Sequence, residues 1–460
     1  MYQINFKKPI HLHFIGIGGI SMSGLARVLL KEGLHISGSD AWQSEITLGL
    51  AGEGVHISYP QSPDNITDDL DAVVYTAAIH EDNPEFAAAR AKGLPMLSRA
   101  QLLGQIMSHY ENSIAVAGTH GKTTTTSMLS QILLSADTDP TISVGGMLKS
   151  INGNIRVGSS DIFLTEACEY TNSFLNFYPK YCLILNIEAE HLDFFKDLAD
   201  IRASFRKFAA NTGEGGTIFI NGEIENYQEI VSGLPAKTLT YGMSSSFDYY
   251  PKDIAFDDMG CASYTLMEGN RSVASIHLKV PGLHNVSNSV AAACLSLALG
   301  VSSEHIALGL SGFLGTDRRF QYKGKLPCGA VLIDDYAHHP TEIKATLEAA
   351  ANYPHKRIIC VFQPHTYSRT KAFLDDFADA LSLADVVVLA DIYAARETDS
   401  LGVSSGDIEA RLKNMGKETY YFPDFSQIEN FLQKNCVNHD LLITMGAGDV
   451  VKVGEHILIH

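Results

Sequence analysis

The chain has 460 residues, which exceeds the size of one ordinary hydrophobic core and predicts about two to four domains. Its composition, with 45% hydrophobic and 19% charged residues, is that of a soluble globular enzyme. The formal net charge of -18 argues against a nucleic-acid partner, because proteins that bind a phosphate backbone usually carry a basic face.

The seven cysteines are scattered and form no C-x-x-C pair. This pattern favours free thiols in a reducing compartment over a disulfide framework or a zinc site. Residues 1–9 contain two lysines but lead into no long apolar segment, and no other stretch approaches the length of a membrane span. We therefore expect a cytoplasmic protein with no membrane partner.

Three glycine-rich openings between a strand and a helix punctuate the chain. The first begins with the apolar run at 11–15, which is followed by a helical pattern up to Gly33 and a short strand at 35–40. Its loop contains three glycines, which are Gly16, Gly18 and Gly19. This βαβ pattern predicts that residues 1–110 form a Rossmann-like domain, for which NAD is the obvious ligand when the loop is considered alone.

The second opening carries the strongest chemical signal. A strand at 113–117 runs into a loop and a helix that begin with Gly118, Thr119, His120, Gly121, Lys122, Thr123 and Thr124. Such a turn points backbone N–H groups at an anion. Lys122 would add a positive charge against the β- and γ-phosphates of a nucleotide, and Thr123 a hydroxyl for Mg²⁺. The generic phosphate-loop pattern has a glycine where Val116 stands, and we expect Lys122 to be an exposed loop cation.

The rest of the chain continues the alternation of strands and helices. We expect a central ATP-binding domain at 111–316, built on a mostly parallel sheet of the phosphate-loop ATPase type, with an antiparallel excursion near 240–280. The third opening lies near Thr316 and predicts a second Rossmann-like α/β domain at 317–460. The predicted fold class is therefore α/β with three domains.

Six further blocks accompany the loop at 118–124. They span 166–169, 186–193, 281–288, 315–320, 334–340 and 445–449. Together these segments resemble the Mur ligase family, in that family's order and over essentially the whole chain. In this family the phosphate loop begins with a later glycine, which accounts for Val116.

The resemblance implies an ATP-dependent ligase that joins an amino acid to the carboxylate of a UDP-sugar acid through an acyl phosphate. The blocks at 336–342 and 362–370 resemble those of family members that add L-alanine to UDP-N-acetylmuramate in peptidoglycan precursor synthesis. The implied cofactors are ATP and Mg²⁺, which Mn²⁺ can replace. The implied substrates are UDP-N-acetylmuramate and L-alanine, and we expect a monomer or a weak homo-oligomer.

The resemblance also assigns roles to individual residues. The catalytic set is Lys122, His191 and Arg319. Metal ions would be held by Thr123, Glu166 and His191. ATP would be held by the residues at 118–124 together with Asn285, Asn288, Arg319 and Asp335. Asn285 and Asn288 stand three positions apart near the start of a helix that we predict from about Asn288 to Leu299, so both amides can face one side. Two of these assignments stay open: Asn285 could instead cap a helix, and the adjacent pair Arg318 and Asp334 could replace Arg319 and Asp335.

The UDP-sugar would lie on the amino-terminal loop rather than NAD. The implied substrate contacts are Gly16, Gly18, Gly19, Ser39, Asp40, Thr76, His338 and Arg369. Arg99 is a looser candidate at the same place. Thr366 stands where some relatives have a second arginine, which leaves Arg369 as the arginine for the substrate carboxylate. Cys168 and Tyr170 also depart from the family's acidic-serine form.

Three alternatives complete the sequence-based predictions. The first is a relative that recycles a tripeptide onto the same sugar acid, which would accept the tripeptide in place of L-alanine. The second is an NAD-dependent oxidoreductase, which would have no use for a second nucleotide loop. The third is a catalytically inactive nucleotide-binding regulator, against which Lys122, Glu166 and His191 argue. Arg206 and Lys207 lie near the place where two relatives carry a carbamylated lysine, and we do not predict that modification here.

Overall fold

In the computed structural model, which describes residues 2–76, 78–192, 194–395 and 397–459, the chain forms two units. The first unit comprises Met1–Thr126, Asp137–Ile187 and Arg202–Leu239. The second comprises Ser127–Ala136, Glu188–Ile201 and Thr240–His460.

The first 110 residues form a five-stranded parallel sheet with four helices. The strands are β1 (His11–Ile15), β2 (His35–Ser39), β3 (His56–Ser58), β4 (Ala72–Tyr75) and β5 (Met96–Ser98). The helices are α1 (Ile20–Lys31), α2 (Glu45–Gly52), α3 (Pro84–Ala91) and α4 (Arg99–Ser108). The strand order is β3-β2-β1-β4-β5, so the order reverses beside β1 and the loop after β1 lies at that point.

Seven strands follow in the central part of the chain. They are β6 (Asn112–Ala117), β7 (Thr141–Leu148), β8 (Gly153–Arg156), β9 (Ile162–Ala167), β10 (Tyr181–Ile184), β11 (Thr217–Asn221) and β12 (Lys237–Tyr241). The helices are α5 (Lys122–Ser135), α6 (Leu198–Ala210) and α7 (Gln228–Val231). The strand order is β12-β11-β10-β6-β9-β7-β8. Strands β11, β10, β6, β9 and β7 pair in parallel, and β8 is antiparallel to β7.

The second unit opens with three strands and two helices. They are β13 (Tyr249–Phe256), β14 (Cys261–Glu268), β15 (Arg271–Pro281), α8 (Leu283–Ala298) and α9 (Ser303–Gly312). The three strands pair antiparallel, as the sequence predicts for this region. Helix α8 begins about one turn before the predicted start at Asn288. Gly282 immediately precedes it with φ of +99°, a conformation open to glycine.

The last part of the described chain forms a six-stranded sheet with six helices. The strands are β16 (Gln321–Lys325), β17 (Val331–Asp335), β18 (Ile358–Phe362), β19 (Val386–Leu389), β20 (Glu418–Tyr421) and β21 (Leu441–Met445). The helices are α10 (Pro340–Ala351), α11 (Tyr367–Ala372), α12 (Leu374–Leu381), α13 (Ser405–Asn414), α14 (Phe425–Asn435) and α15 (Val451–Ile459). The order is β16-β17-β21-β18-β19-β20, with only the edge strand β16 antiparallel among the described strands of this sheet. Buried clusters cover both faces, which explains why β18 is apolar throughout and β21 is apolar except for Thr444.

The predicted α/β class with mostly parallel sheets is confirmed. All seven cysteines, which lie within the described residues, are free thiols. Among the helices of the described segments, none combines the length and the apolar character needed to cross a bilayer.

Glu85 is a buried carboxylate that ties the first sheet to its loops. One carboxylate oxygen lies 3.3 Å from Nε2 of His13 and accepts the hydroxyl of Ser39. The other accepts the backbone N–H of Ser62 at 3.2 Å and the side-chain amide of Asn65 at 2.6 Å. Because four groups converge on one side chain, its loss leaves several buried polar groups without a partner.

We expect Glu85→Ala to lower the free energy of unfolding by about 3 kcal/mol through these unsatisfied groups. Urea unfolding of the full chain measures the effect. The control is Glu81→Ala, which removes an 80% exposed carboxylate paired with Arg90 and should change stability by less than about 1 kcal/mol. Equal stabilities of the two variants would contradict the role of Glu85.

Glu85 also makes stability depend on pH. Burial raises its pKa, but the hydrogen bonds from His13, Asn65 and Ser39 outweigh burial and hold the pKa of Glu85 below its usual 4.5. A carboxyl whose pKa is lower in the folded state stabilises the fold above its unfolded pKa, and that stabilisation is lost as pH falls. We expect the unfolding free energy of the wild type to decrease below about pH 4.5 more steeply than that of Glu85→Gln, as measured by urea titrations at several pH values.

Candidate active site

The loop between β6 and α5 has the backbone conformation that an anion site needs. Gly118 and Gly121 adopt φ of +152° and +82°. A Cβ atom on Gly118 would lie 2.9 Å from Cβ of Leu185, so a side chain is excluded there. Asn186 fixes the loop, because its side-chain oxygen accepts the backbone N–H of His120 at 2.7 Å and its amide donates to the His120 carbonyl at 3.0 Å. The loop is thus held before any ligand binds.

Lys122 is largely buried, and the expectation of an exposed loop cation is wrong. Its Nζ donates to the loop carbonyls of Gly118 and Thr119. The same Nζ lies 3.0 Å from a carboxylate oxygen of Glu169, whose side chain is only 2% exposed. Burial lowers the pKa of Lys122, but Glu169 outweighs burial, and the pKa of the lysine is raised overall. Lys122 is therefore a cation held within its own loop.

Thr123 and Glu166 meet at the predicted metal position. The hydroxyl of Thr123 donates to one carboxylate oxygen of Glu166 at 3.1 Å, and the backbone N–H of Gly145 donates to the other at 2.5 Å. Glu166 belongs to β9, the strand next to β6, so the sheet itself sets its distance from the phosphate loop. A hydroxyl and a carboxylate are hard oxygen ligands, and this pair fits Mg²⁺.

The loop after β1 rests on the end of β2. The backbone N–H groups of Gly16 and Ile17 donate to the carbonyl of Ser39 at 2.9 and 3.0 Å. The N–H of Gly18 donates to the carboxylate of Asp40 at 2.8 Å. The Ser39 side chain is fully buried and donates to Glu85, so only its carbonyl faces the loop. This geometry supports a positioning role for Ser39 rather than a side-chain contact with a ligand.

Other predicted residues surround this loop. Gly19 immediately precedes α1, and Thr76 follows β4, the strand paired with β1, at the same carboxyl edge. Arg99 begins α4, and one guanidinium N–H donates to the hydroxyl of Ser21 on α1 at 3.1 Å. Burial lowers the pKa of Arg99. The structure therefore brings the looser candidate Arg99 to the start of α1.

Asn285 and Asn288 share one face of α8, as predicted. The amide of Asn288 donates to the side-chain oxygen of Asn285 at 3.4 Å, and the amide of Asn285 donates to the carbonyl of Pro281 at 2.7 Å. The N-cap position belongs to Gly282 and has no side-chain cap. Asn285 therefore does not cap the helix, and that alternative is wrong.

Arg318 and Arg319 have different environments. Arg318 pairs with the buried Asp334 at 3.2 Å and donates to the carbonyls of Gly446 and Gly448 at 2.7 and 3.1 Å. These bonds fasten the loop of Arg318 to strand β17 and to the loop after β21. Arg318 and Asp334 are thus engaged in holding the fold, which favours Arg319 over Arg318 for a ligand.

Arg319 is only partly paired. One guanidinium nitrogen lies 3.6 Å from a carboxylate oxygen of Glu342, and the group stacks on the ring of Tyr336 with 5.2 Å between Cζ and the ring centroid. The neighbouring Asp335 is buried and accepts the backbone N–H groups of Phe320 and Ala337, both at 2.7 Å. Burial raises the pKa of Asp335 to about 6, although Arg319 acts in the opposite direction. Asp335 thereby fixes the loop that carries Arg319.

His191 occupies a strained turn in the second unit. Its φ is +54°, a region that few residue types other than glycine and asparagine adopt readily. Its carbonyl accepts the backbone N–H groups of Phe194 and Phe195, both at 2.9 Å. Asp193, the last residue of the same sequence block, lies outside the described residues. The backbone hydrogen bonds of this turn thus fix the position of His191.

Arg369 lies on α11 and is engaged on two sides. Its Nε and Nη2 donate to the same carboxylate oxygen of Glu190 at 2.9 and 2.7 Å. Its Nη1 lies 3.0 Å from both Nδ1 and the carbonyl oxygen of His365. The side chains of Arg369 and Glu190 are 10% and 8% exposed. Burial raises the pKa of Glu190, but Arg369 outweighs burial and lowers that pKa to about 2.

His338 stands beside His365, with ring centroids 5.7 Å apart. Its Nδ1 lies 3.0 Å from the carbonyl of Tyr336. Burial lowers the pKa of His338 and that of His365, each to about 4. At neutral pH both imidazoles are therefore neutral and can accept hydrogen bonds.

The predicted residues thus fall into two groups. Gly16, Gly18, Gly19, Ser39, Asp40, Thr76, the loop at 118–124 and Glu166 lie in the first unit. His191, Asn285, Asn288, Arg319, Asp335, His338 and Arg369 lie in the second. Lys207 is exposed on α6 and Arg206 donates to the carbonyls of Glu229 and Ser232.

The sequence analysis missed the carboxylates that hold these residues. Glu169 and Glu190 stand within quoted blocks but were given no role, although each neutralises a cation that was. Asn186 was likewise quoted and not assigned. Glu85 has no motif around it. A signal was available for Glu169 and Glu190, since a cation that the fold buries requires a nearby carboxylate.

Comparison with known proteins adds the following findings. The family model described as the Mur ligase family catalytic domain matches residues 11–111, that of the Mur ligase middle domain matches 116–296, and that of the Mur ligase glutamate ligase domain matches 318–448. Together they cover most of the chain.

Three similar proteins share one named activity. The UDP-N-acetylmuramate–L-alanine ligase of Agathobacter rectalis is 65% identical over the full length of both chains. That of Caldanaerobacter subterraneus is 47% identical over 99% of each chain. The crystal structure of UDP-N-acetylmuramate–alanine ligase from Thermotoga maritima is similar with a TM-score of 0.78, 29% identity and coverage of 98% of each chain. The chain therefore belongs to the Mur ligase family.

Proposed function

We propose that this Mur ligase uses ATP to join L-alanine to the carboxylate of UDP-N-acetylmuramate in peptidoglycan precursor synthesis. The observation that carries the proposal is the phosphate loop, in which Lys122 is poised beside the Thr123–Glu166 pair. The full-length identity of 65% to a ligase with this named activity supports the choice of substrates.

The reaction needs a leaving group better than hydroxide. The sugar-acid carboxylate attacks the γ-phosphorus of ATP, the bond to the β-phosphate oxygen breaks, and an acyl phosphate and ADP form. The α-amine of L-alanine then attacks the acyl carbon, phosphate leaves, and the amine loses a proton as the amide forms. The first step brings two anions together, so catalysis relies on charge neutralisation and positioning.

Lys122 and Arg319 suit that neutralisation. In the proposed complex Lys122 turns from the loop carbonyls toward the β- and γ-phosphates, and Glu169 keeps the lysine protonated. Arg319 adds positive charge for the phosphates, while Asn285 and Asn288 hold the adenine end. Asp335 contacts the ribose or, through its bonds to the backbone, fixes the loop of Arg319.

A divalent metal fits the oxygen donors of Thr123 and Glu166, and His191 is the proposed ligand of a second ion. When bound, Mg²⁺ or Mn²⁺ would supply positive charge to the transferring phosphoryl group. Glu166 contributes by keeping its carboxylate fixed between Thr123 and Gly145.

We assign the two substrates to separate sets of residues. The diphosphate of the UDP-sugar lies on the loop at 16–19, near Asp40 and Thr76, and Arg369 and His338 hold the amino acid. We further propose the domain ranges 1–110, 111–316 and 317–460, a cytoplasmic location, and a monomer or weak homo-oligomer.

The substrate choice is tested by phosphate release with UDP-N-acetylmuramate and a panel of L-alanine, glycine, L-serine and the recycled tripeptide. Release with the tripeptide but not with L-alanine would contradict the proposal.

Lys122→Ala should abolish phosphate release and also destabilise the protein by about 3 kcal/mol, because Glu169 is left buried without its counter-charge. The double variant Lys122→Met with Glu169→Gln separates the two effects. It should regain most of the lost stability, measured by urea unfolding, while phosphate release stays at background. Near-wild-type release by either variant would rule out the ATP-loop assignment.

Replacement of His191 should impair acyl-phosphate formation. We choose His191→Asn because asparagine tolerates the positive φ of this turn, so that strain does not obscure the result. The variant should form acyl phosphate at least about 100-fold more slowly, with partial rescue by raised Mg²⁺ or Mn²⁺ and little change in ATP affinity. Single-turnover trapping of the acyl phosphate at several metal concentrations measures this. Formation at the wild-type rate would remove His191 from the reacting centre.

A further inference from the structure

The contact between Glu190 and Arg369 has an unusual form for an arginine–carboxylate pair. Both Nε and Nη2 of Arg369 donate to a single oxygen, Oε1 of Glu190, rather than one to each carboxylate oxygen. That same oxygen also accepts the backbone N–H of His191 at 3.1 Å. The guanidinium edge that best matches a bidentate carboxylate is thus occupied end-on by one atom.

The other side of Arg369 is held independently. Its Nη1 meets the carbonyl oxygen and Nδ1 of His365, both at 3.0 Å. Glu397 fixes the start of α11, accepting the backbone N–H groups of Tyr367 and Ser368 at 2.6 and 3.1 Å. Arg369 would therefore keep its position if Glu190 were to release the Nε–Nη2 edge.

The Arg369–Glu190 pair is almost completely excluded from water, although two segments of a chain can be held together without charged side chains. A desolvated ion pair often contributes less stability than apolar side chains of the same size, so its presence calls for another explanation. An amino acid carries a carboxylate and an ammonium on one carbon atom. A neighbouring arginine and glutamate offer the complementary charges at short range.

We propose that Glu190 binds the α-ammonium of the amino-acid substrate while Arg369 binds its α-carboxylate. This inference rests on the proposed function. The substrate enters between the two side chains, its carboxylate takes the Nε–Nη2 edge, and Glu190 transfers its hydrogen bonds from the guanidinium to the ammonium. Each buried charge exchanges one partner for another, so none is left unpaired.

The position of Glu190 in the chain suits this role. It directly precedes His191, the residue proposed to act at the reacting carboxylate. An ammonium held by Glu190 is therefore kept close to the turn that carries His191, and its nitrogen becomes the nucleophile once it releases one proton to solvent water. Glu190 then contributes to specificity by requiring an amine, and Arg369 by requiring a carboxylate.

The test uses the full-length enzyme and the variant Glu190→Gln, which keeps the shape of the side chain. The KM for L-alanine should rise at least about 30-fold, as for loss of one partner of a buried charge pair, while the KM values for ATP and UDP-N-acetylmuramate change less than about threefold. A fall in the KM for L-alanine would show that Glu190 merely competes with the substrate carboxylate, and an unchanged value would show no contact. Either result overturns the proposal.

Two substrate fragments separate recognition from support of Arg369. L-Alaninamide retains the amine and lacks the carboxylate, whereas L-lactate retains the carboxylate and lacks the amine. As inhibitors of L-alanine incorporation, L-alaninamide should lose potency in Glu190→Gln and L-lactate should not. Loss of both would mean that Glu190 only holds Arg369 in place, which overturns the proposal.

The matched control is Asp440→Asn. Asp440 is a buried carboxylate that pairs at 2.6 Å with Arg357, whose side chain is 34% exposed, at the opposite edge of the same sheet, where β18 begins rather than ends. Asp440→Asn should be less stable than the wild type but keep the wild-type KM for L-alanine. If its KM for L-alanine rose as much as that of Glu190→Gln, loss of stability alone would explain both increases, and the proposal would be overturned. Failure of the proposed function is distinguishable, since the wild type itself would then release no phosphate with UDP-N-acetylmuramate and L-alanine.

Discussion

The ion pair between Lys122 and Glu169 is the interaction on which the phosphate loop depends. Glu169 is almost completely buried, and an unpaired carboxylate there would be costly, so the lysine is drawn back over its own loop. The loop carbonyls of Gly118 and Thr119 complete its hydrogen bonds. The lysine is therefore held over the loop by its own carbonyls and by Glu169. In the proposed complex, nucleotide phosphates would replace the bonds to the carbonyls.

The same arrangement recurs at the carboxyl edges of all three sheets. Glu85 ties the first sheet to its surrounding loops, Glu169 holds the central loop, and Asp334 fastens Arg318 in the last sheet. Parallel strands bring their loops to one edge, but strands alone do not fix loop conformation. A buried carboxylate does fix the loop conformation, because each group that donates a hydrogen bond to it must keep its position or lose its partner.

The sequence predicted the structure best where a backbone conformation requires a particular residue type, as in the glycine loops. The glycine loops, their strands and the shared face of Asn285 and Asn288 follow from local pattern. Boundaries moved where a short signal was weak, as at the start of α8. The sequence could not distinguish Arg318 from Arg319, because they are adjacent and identical. Only the hydrogen bonds of Arg318 to Asp334 and Gly446 separate their roles. The pairing of Glu190 with Arg369 joins residues 179 positions apart, which no periodicity reveals.

Three cations proposed to meet anionic ligands already have internal carboxylate partners: Lys122 has Glu169, Arg319 has Glu342 and Arg369 has Glu190. Lys122 and Arg369 are 16% and 10% exposed and would otherwise stand as isolated, largely buried charges, whereas Arg319 is 28% exposed. Because Lys122 and Arg369 are each paired with a buried carboxylate, we expect a ligand with its own negative charge to exchange with that carboxylate more readily than a neutral ligand. A neutral analogue would separate a desolvated pair and offer nothing in return. The internal carboxylates would thus act against uncharged competitors, and the proposed selectivity for anionic substrates would follow from the same pairs that keep Lys122 and Arg369 from being unpaired charges.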